Sequence, residues 1–363
     1  MLVPVGRLTI VRAVPKSELL RAMSFVAMPA LIGPMLGPVA GGFIVHYLPW
    51  RAIFFVNLPI GLLGLYLVYR HLPDFRDPRG GPLDWLGLVL FSTGLALLSY
   101  VLEVFGEHSL SGREILGLLV IALALLAAYG RYAVTTAHPL LRFALARVRT
   151  FRVAVGGGFV TRLAAGGMPF LLPLLYQVGL GYTPVQAALL IVPQPLAAMS
   201  LKVIVPTILG RFGFRRVLLW NTMFMGALIA LFSLIGPGTP VWQILLQGYL
   251  FGFSLSMQYS SANSLAYADI STADSSMAST ISSTLQQLSM SFGVALASLA
   301  AAVFLPDRFH STAAQMVHGL HLAFIALGAL TILSALIFNT LKRGDGAGVA
   351  QARDFIPASR LGD

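Results

Sequence analysis

The 363-residue sequence contains no cysteine and has few charged residues. The absence of cysteine excludes disulfides, thiol catalysis and cysteine-ligated metals. Charged residues make up 10% of the chain, whereas a soluble globular domain has about a quarter. Hydrophobic residues account for 57%, and the mean hydropathy is +0.83. These values exclude a disordered chain and argue against a free-standing soluble enzyme.

The sequence also lacks the short motifs of common enzyme classes. It has no H-E-x-x-H, no G-x-S-x-G, no G-x-G-x-x-G, and no Gly-Lys pair for a phosphate-binding loop. The seven histidines are scattered along the chain. A membrane-embedded enzyme, such as a lipid transferase, would need clustered His, Asp or Glu, so this alternative has little support. We expect no bound metal and no cofactor.

Long apolar stretches dominate what is present. Ten of them are long enough to cross about 30 Å of hydrocarbon as helices. Helices are expected because a helix forms its backbone hydrogen bonds within one segment and lipid offers no other partners. The sequence therefore predicts an all-α multi-pass membrane protein with spans at Ala22–Tyr47, Ala52–Tyr69, Leu83–Leu102, Ile115–Val134, Phe151–Val178, Thr183–Val205, Val217–Ile235, Val241–Tyr259, Ser275–Phe304 and His318–Leu341.

The N-terminal stretch Met1–Val14 differs from these spans. Fourteen residues make at most about 21 Å of helix, too short to cross the bilayer. It has no basic n-region, and Arg7 and Arg12 interrupt it, so it is not a signal peptide. We interpret it as the last half of a helix.

Lysine and arginine are distributed asymmetrically about the predicted spans. Of the 24 residues, Arg51, Arg113 and Arg308 lie on one side, Arg162 and Lys202 lie inside spans, and the rest lie on the other side. The positive-inside rule makes the rich side cytoplasmic, and the C-terminus with it. The net charge of +11 therefore indicates cytoplasmic loops rather than nucleic-acid binding.

Several polar side chains are predicted to lie within the spans. Arg162 lies about 16 Å into its span, where a charge must face a cavity or a partner. It either contacts an anionic substrate group or pairs structurally with carbonyls or a carboxylate. Gln194, Gln286 and Gln287 lie at similar depths, and Asn57 lies nearer a span end. These five residues are the candidates for lining a substrate cavity, and interhelical hydrogen bonds are the alternative for the amides.

A glycine- and proline-rich motif lies in the first full span. Gly33, Gly37 and Gly41 form two overlapping G-x-x-x-G units, with Gly42 adjacent. Such units allow close helix packing. Pro34 and Pro38 remove backbone donors and bend a helix.

These motifs carry a family resemblance. The Gly33–Gly42 motif and the following Trp50-Arg51, Asn57 and Gly61 resemble the antiporter motif and next helix of 14-helix drug–proton antiporters (EmrB/QacA type) of the major facilitator superfamily. A second motif is similar to the family's cytoplasmic loop motif; it comprises Gly210, Arg211, Gly213, Arg215 and Arg216. The segments around Arg162 and Pro4–Arg7 are most similar to HsrA/MdtD-like members.

The resemblance implies a fold and a function. It implies a major facilitator fold with about ten complete transmembrane helices plus the N-terminal half-helix. Residues 1–69 would form an incomplete N-terminal bundle, 70–150 two inserted helices, 151–341 a complete six-helix bundle and 342–363 a cytoplasmic tail. The implied function is proton-gradient-driven multidrug or small-molecule export by alternating access. The implied partners are a small amphipathic substrate and the bilayer, in the cell inner membrane.

The chain departs from the family at its N-terminus. The family's first three helices and its main cytoplasmic motif have no counterpart, and all 13 acidic residues lie in loops or at span ends. We therefore expect an N-terminally truncated transporter whose coupling carboxylate lies on a missing segment. The alternative is a non-transporting membrane remnant or partner subunit. The substrate and the oligomeric state stay open.

The charge asymmetry predicts a topology that reporter fusions can test. A fusion after Lys342 should report a cytoplasmic location, and one within residues 306–317 should report the opposite side. Both fusions reporting the same side would contradict the predicted number of spans.

Overall fold

A computed structural model of the protein describes residues 37, 40–71, 84–105, 111–136, 143–200, 204–271, 274–304, 313–342 and 344–346. Every regular element among these residues is a helix. The stub Met1–Val14, most of the first predicted span and residues 347–363 lie outside the described residues, as do Gly33, Pro34, Pro38 and Lys202.

The helices follow the chain in a simple order. After helical residues 40–47 come α1 (Ala52–His71), α2 (Trp85–Phe105), α3 (Gly112–Thr135), α4 (Arg149–Leu174), α5 (Pro184–Ile191), α6 (Pro193–Ser200), α7 (Val205–Leu231), α8 (Val241–Tyr267), α9 (Ser275–Phe304) and α10 (Ala313–Asn339). A π-helical turn at Leu175–Gly179 extends α4, and a short 3₁₀ helix, Phe143–Arg147, precedes it.

From Ala52 onward the helices overlap the predicted spans, although α7 begins before Val217 and α8 runs past Tyr259. They confirm the multi-pass helical fold. Among the described residues, six helical stretches are long and apolar enough to cross a membrane: Ala52–Arg70, Gly112–Thr135, Arg149–Gly179, Thr207–Leu234, Met277–Phe304 and Ala314–Asn339. Trp85–Val101 and Pro184–Ser200 are shorter apolar helices. The predicted span Thr183–Val205 is broken in the structure, because Pro193 cannot continue the backbone hydrogen bonding of α5.

Helices α2 and α3 form a packed hairpin. The Tyr132 hydroxyl donates to Asp84 Oδ1 (2.9 Å), and that carboxylate also accepts from the Gly87 N–H at the start of α2. Deeper in the hairpin, the rings of Phe91 and Tyr129 lie 5.1 Å apart. On its other side, α2 packs against α9.

Helices α4 to α10 form a bundle in which α4 is central. It contacts α8, α9 and α10, while α7 packs along α10 and α8 packs on α6 and α7. Two buried apolar clusters fill the bundle: one includes Phe151, Phe214, Leu265 and Phe338, and the other includes Met168, Tyr176, Phe232, Phe251 and Phe324. Along α4, the first cluster takes residues before 161 and the second takes residues after 162, so residues 161 and 162 lie between the two clusters.

Glycines set the closest helix contacts in the bundle. A Cβ added at Gly166 of α4 would lie 3.0 Å from the Met290 Cα of α9, and one added at Gly293 would lie 3.0 Å from the Gly166 Cα. The two backbones thus touch directly, which only a residue without a side chain allows. Gly226 and Gly328 bring α7 and α10 together in the same way.

A bulky residue at Gly166 should destabilise the bundle. Gly166→Leu would push α9 away from α4, at a cost of about 1–3 kcal/mol in the free energy of unfolding. Gly156→Leu, on the same helix, is the control, because a Cβ there meets no described atom within 4 Å. Thermal unfolding in detergent should show a lower midpoint for Gly166→Leu alone. Equal midpoints would mean that the α4–α9 contact is not tight.

Candidate functional site

Arg162 lies near the middle of the Arg149–Gly179 helical stretch and is 4% exposed. Its guanidinium carbon lies 4.6 Å from the ring centroid of Tyr259 on α8, within the range of a cation–π contact. Its Nη2 donates to Asn263 Oδ1 at 3.4 Å, a long hydrogen bond. No described carboxylate forms an ion pair with it. The buried charge is therefore held by an aromatic ring and an amide.

Asn263 links Arg162 to α9. Its Oδ1 also accepts a 2.9 Å hydrogen bond from Gln286 Nε2, so one amide oxygen joins α4, α8 and α9. The Asn263 side chain is exposed and the Gln286 side chain is half-buried, so both reach the surface of the bundle. This face of the bundle is called the open side below. Arg162, Tyr259, Asn263 and Gln286 are called the polar cluster below.

A small recess lies beside the polar cluster. Arg162, Asn263, Gln286 and Ser282 contribute to its walls, together with apolar residues of α4, α8 and α9. Ser282 is 5% exposed, and its hydroxyl has no hydrogen-bond partner among the described residues. The recess thus offers an unsatisfied hydroxyl next to a buried cation.

Gly158 makes room for the guanidinium. A Cβ added at Gly158 would lie 2.7 Å from Arg162 Nη1, so the arginine folds back along its own helix by one turn. The glycines near Arg162 therefore have separate roles. Gly166 and Gly167 pack against α9, Gly157 packs against the Phe338 ring, and Gly158 accommodates Arg162.

The other predicted cavity residues are distributed elsewhere. Gln287 is exposed, and no described residue hydrogen-bonds to it. Gln194 lies at the break between α5 and α6, where its backbone packs on Gly252 of α8 and its side-chain nitrogen is buried without a described partner. Asn57 is exposed on α1. The structure therefore joins Gln286 to Arg162, whereas among the described residues Gln194, Gln287 and Asn57 form no hydrogen bond with the polar cluster.

Tyr259 and Asn263 are the members of the polar cluster that the sequence analysis did not select as cavity candidates. Tyr259 and Asn263 are four residues apart and so share one face of α8. This spacing was the available signal, but it is common in helices and does not indicate which neighbouring helix the two side chains meet.

The glycine- and proline-rich motif makes its close contact at Gly42. A Cβ there would lie 2.9 Å from the Pro184 carbonyl oxygen and 3.0 Å from the Ala188 Cβ, both on α5. At Gly37 and Gly41 an added Cβ meets nothing described within 4 Å. The observed contact is thus made by the residue after Gly41, on a neighbouring face of the helix. Packing of the predicted G-x-x-x-G face stays a prediction.

The motif at Gly210–Arg216 forms a break within α7. Gly213 has φ 74° and ψ 157°, a conformation that favours glycine, and it separates Gly210 and Arg211 from Arg215 and Arg216. Arg215 Nη2 donates to Asn339 Oδ1 at the end of α10 (2.8 Å). The Arg211 guanidinium lies 5.7 Å from the ring centroid of Phe212.

A charged contact joins the same end of the bundle to α4. Arg149 donates two hydrogen bonds to Asp345, from Nη2 at 2.6 Å and Nε at 3.1 Å, and Asp345 also accepts from the Lys342 N–H. Arg149, Arg215, Arg216 and Lys342 thus mark one end of the bundle, called the basic end below. Partial burial acts to raise the pKa of Asp345, but these hydrogen bonds hold the pKa below its ordinary value.

No cluster of three or more metal-ligating side chains occurs among the described residues. The expectation of a chain without metal or cofactor stays a prediction.

Comparison with known proteins gives consistent matches. Residues 1–294 match the model of the Major Facilitator Superfamily. A protein of Klebsiella pneumoniae (strain 342), named "Putative multidrug resistance protein MdtD", is 34% identical over 339 residues, covering 93% of this chain and 72% of the relative. A protein of the same name from Escherichia coli O6:K15:H31 is 32% identical over 358 residues, covering 97% of this chain and 75% of the relative.

The ion pair at the basic end predicts a pH-dependent stability. Because the folded-state pKa of Asp345 is lowered, the pair stabilises the fold above the unfolded pKa, and this stabilisation is lost as pH falls through the folded pKa. Asp345→Asn should cost about 1 kcal/mol in the free energy of unfolding near neutral pH, given the partial exposure of Arg149. As the pH is lowered into the acidic range, the thermal midpoint of Asp345→Asn should approach that of the unmodified protein. Asp269→Asn is the comparison, because this exposed carboxylate acts on Arg149 through its charge but without a hydrogen bond. It should have a smaller effect, and an equal loss would contradict a specific Arg149–Asp345 pair.

Proposed function

Because the chain belongs to the major facilitator superfamily, we propose that it is a secondary active transporter that exports small amphipathic compounds by proton antiport through alternating access. Proteins of this superfamily are multi-pass membrane transporters, and the apolar helices of this chain fit that class. The name of the MdtD relatives supports multidrug compounds as substrates.

The observation that carries the proposal is the buried Arg162. A guanidinium inside an apolar helical bundle costs several kcal/mol unless it has a full set of partners or faces a water-filled cavity. Here it has one long hydrogen bond and a ring contact, and the amides of Asn263 and Gln286 beside it lie on the open side of the bundle. We infer that the polar cluster contacts the substrate, with Arg162 facing an anionic or strongly polar group.

The position of the polar cluster suits alternating access. Transporters of this type bind substrate near the membrane midplane between two bundles that rock about the site. In our proposal residues 151–341 are one bundle, residues 1–69 belong to the other, and residues 70–150 supply the inserted helices. The protein would lie in the cell inner membrane with its C-terminus, and therefore the basic end, in the cytoplasm.

Proton coupling requires a titratable group, and the described helices supply no carboxylate at mid-depth. The described acidic residues lie at helix ends or between helices; Glu103 and Glu114, for example, lie within three residues of a helix end. We propose that the coupling carboxylate lies outside the described residues. The alternative, a non-transporting membrane remnant or partner subunit, predicts no transport by this chain.

An efflux assay tests the function and the site together. Cells lacking their main exporters would express the chain alone or from a gene that includes the DNA before its first codon, and fluorescent-dye efflux would be followed with and without a protonophore. In whichever form is active, Arg162→Ala and Gln286→Leu should slow the initial rate about tenfold, the equivalent of ~1.4 kcal/mol.

Gln287→Leu is the matched control for Gln286→Leu. It removes the same amide from the neighbouring position, which forms no hydrogen bond to a described residue. Equal effects of the two substitutions would contradict the proposed site but not the export function. Absence of gradient-dependent efflux from both expressed forms would contradict the export function itself.

A further inference from the structure

A cavity of about 460 Å³ lies at the basic end, outside the polar cluster. It lies between the break in α7 and the residues that follow α10. Arg215, Arg216 and Lys342 line it, together with Phe212, Trp220 and Asp345. The cavity therefore combines three cations with two exposed aromatic rings.

A second, apolar groove of about 460 Å³ lies beside this cavity. The two share Phe212, Arg216 and Trp220, and the groove adds Val217, Phe224 and the Met257 side chain of α8. The basic cavity and the apolar groove thus share one wall. An occupant of both would need a charged end and a hydrocarbon end.

The shared wall has a regular order along α7. Arg216, Trp220 and Phe224 are four residues apart, so they lie on one face and descend by about 6 Å per step. Trp220 is 66% exposed. Arg216 lies just after the break in α7, the Trp220 indole lies one turn deeper, and the Phe224 ring lies two turns deeper. This order matches that of headgroup, interface and acyl chain in a bilayer.

The charge of the cavity is positive despite Asp345. That carboxylate already accepts two hydrogen bonds from Arg149 and one from the Lys342 N–H. Arg215 donates to the neutral Asn339 amide and keeps its charge. Arg216 and Lys342 are exposed, and their side chains form no ion pair with a described residue. The cavity therefore favours an anion.

We propose that this cavity and groove form a binding site for an anionic phospholipid, with the phosphate between Arg216 and Lys342 and one acyl chain along Trp220 and Phe224. Basic recesses between helices at a membrane surface are suited to such headgroups. A soluble anion would leave the apolar groove unfilled, and a zwitterionic lipid would leave the excess positive charge uncompensated. The site shares no lining residue with the polar cluster, although Met257 of its groove lies on α8, the helix that carries Tyr259 and Asn263.

Tryptophan quenching by brominated lipid tests the proposal. Trp50, Trp85 and Trp242 would be replaced by Phe, leaving Trp220 as the only indole. The full chain would be reconstituted in phosphatidylcholine vesicles that contain a small fraction of either dibrominated phosphatidylglycerol or dibrominated phosphatidylcholine. We expect stronger quenching by the anionic lipid at equal mole fraction. Arg216→Gln should lower that preference about fivefold, and Arg216→Lys should restore most of it.

The control removes an equal charge elsewhere. Arg131→Gln, on an exposed position of α3, should leave the preference unchanged. If Arg216→Gln does not fold, as judged by size-exclusion chromatography, Lys342→Gln tests the same phosphate position from another element. Equal quenching by the two brominated lipids would overturn the proposal, as would an equal loss of preference with Arg131→Gln.

Two further arms exclude other occupants. Excess water-soluble glycerol phosphate should not restore Trp220 fluorescence, because it lacks an acyl chain; full competition would mean a site for the headgroup alone. A chain that ends at Gly346 should show the same quenching as the full chain. Quenching that appears only after residues 347–363 are removed would mean that the chain's own end fills the groove.

Discussion

Contact between the backbones of α4 and α9 is the constraint on which the candidate site depends. At Gly166 and Gly293 the two helices touch without intervening side chains. This contact brings Gln286, about two turns along α9, near enough to share an acceptor with Arg162. Wider separation would leave Arg162 and Gln286 as unrelated polar groups in an apolar bundle. Membrane helices cannot rely on hydrophobic exclusion from lipid, so close packing of this kind stabilises their association.

Polar groups in the bundle differ in where they lie and in what they contact. Asn221 donates to the Ser254 carbonyl and to Gln258, and Gln247 donates to the Leu228 carbonyl, so these amides join α7 to α8, although Gln258 Nε2 is buried without a described partner. The polar cluster differs, because it contains a buried cation with a single long hydrogen bond, and two of its amides face the open side of the bundle. Amides that bond between helices in the interior indicate a structural role, whereas a sparsely bonded cation beside accessible amides favours ligand contact.

The two ends of the bundle are held by different interactions. At the basic end, Arg149–Asp345 and Arg215–Asn339 tie α4, α7 and α10 together through charged and polar groups. At the opposite end, His321 of α10 hydrogen-bonds to the Ile235 carbonyl, and Gly179 packs closely against Val317. Among the described residues, charged contacts occur at the basic end alone, in line with the distribution of Lys and Arg in the sequence.

The sequence by itself determined the helical membrane fold, the approximate spans and the family, because hydropathy, length and the Gly33–Gly42 and Gly210–Arg216 motifs are local properties. It also identified Arg162 as a costly buried charge. Only the tertiary structure decided which glutamine lies beside Arg162 and its partner Asn263, since Gln194, Gln286 and Gln287 lie at similar depths and differ in the direction each faces. The length of α8, which runs to Tyr267, likewise depends on packing. Depth in a membrane can be counted along a helix, but rotation about its axis is set by the neighbouring helices.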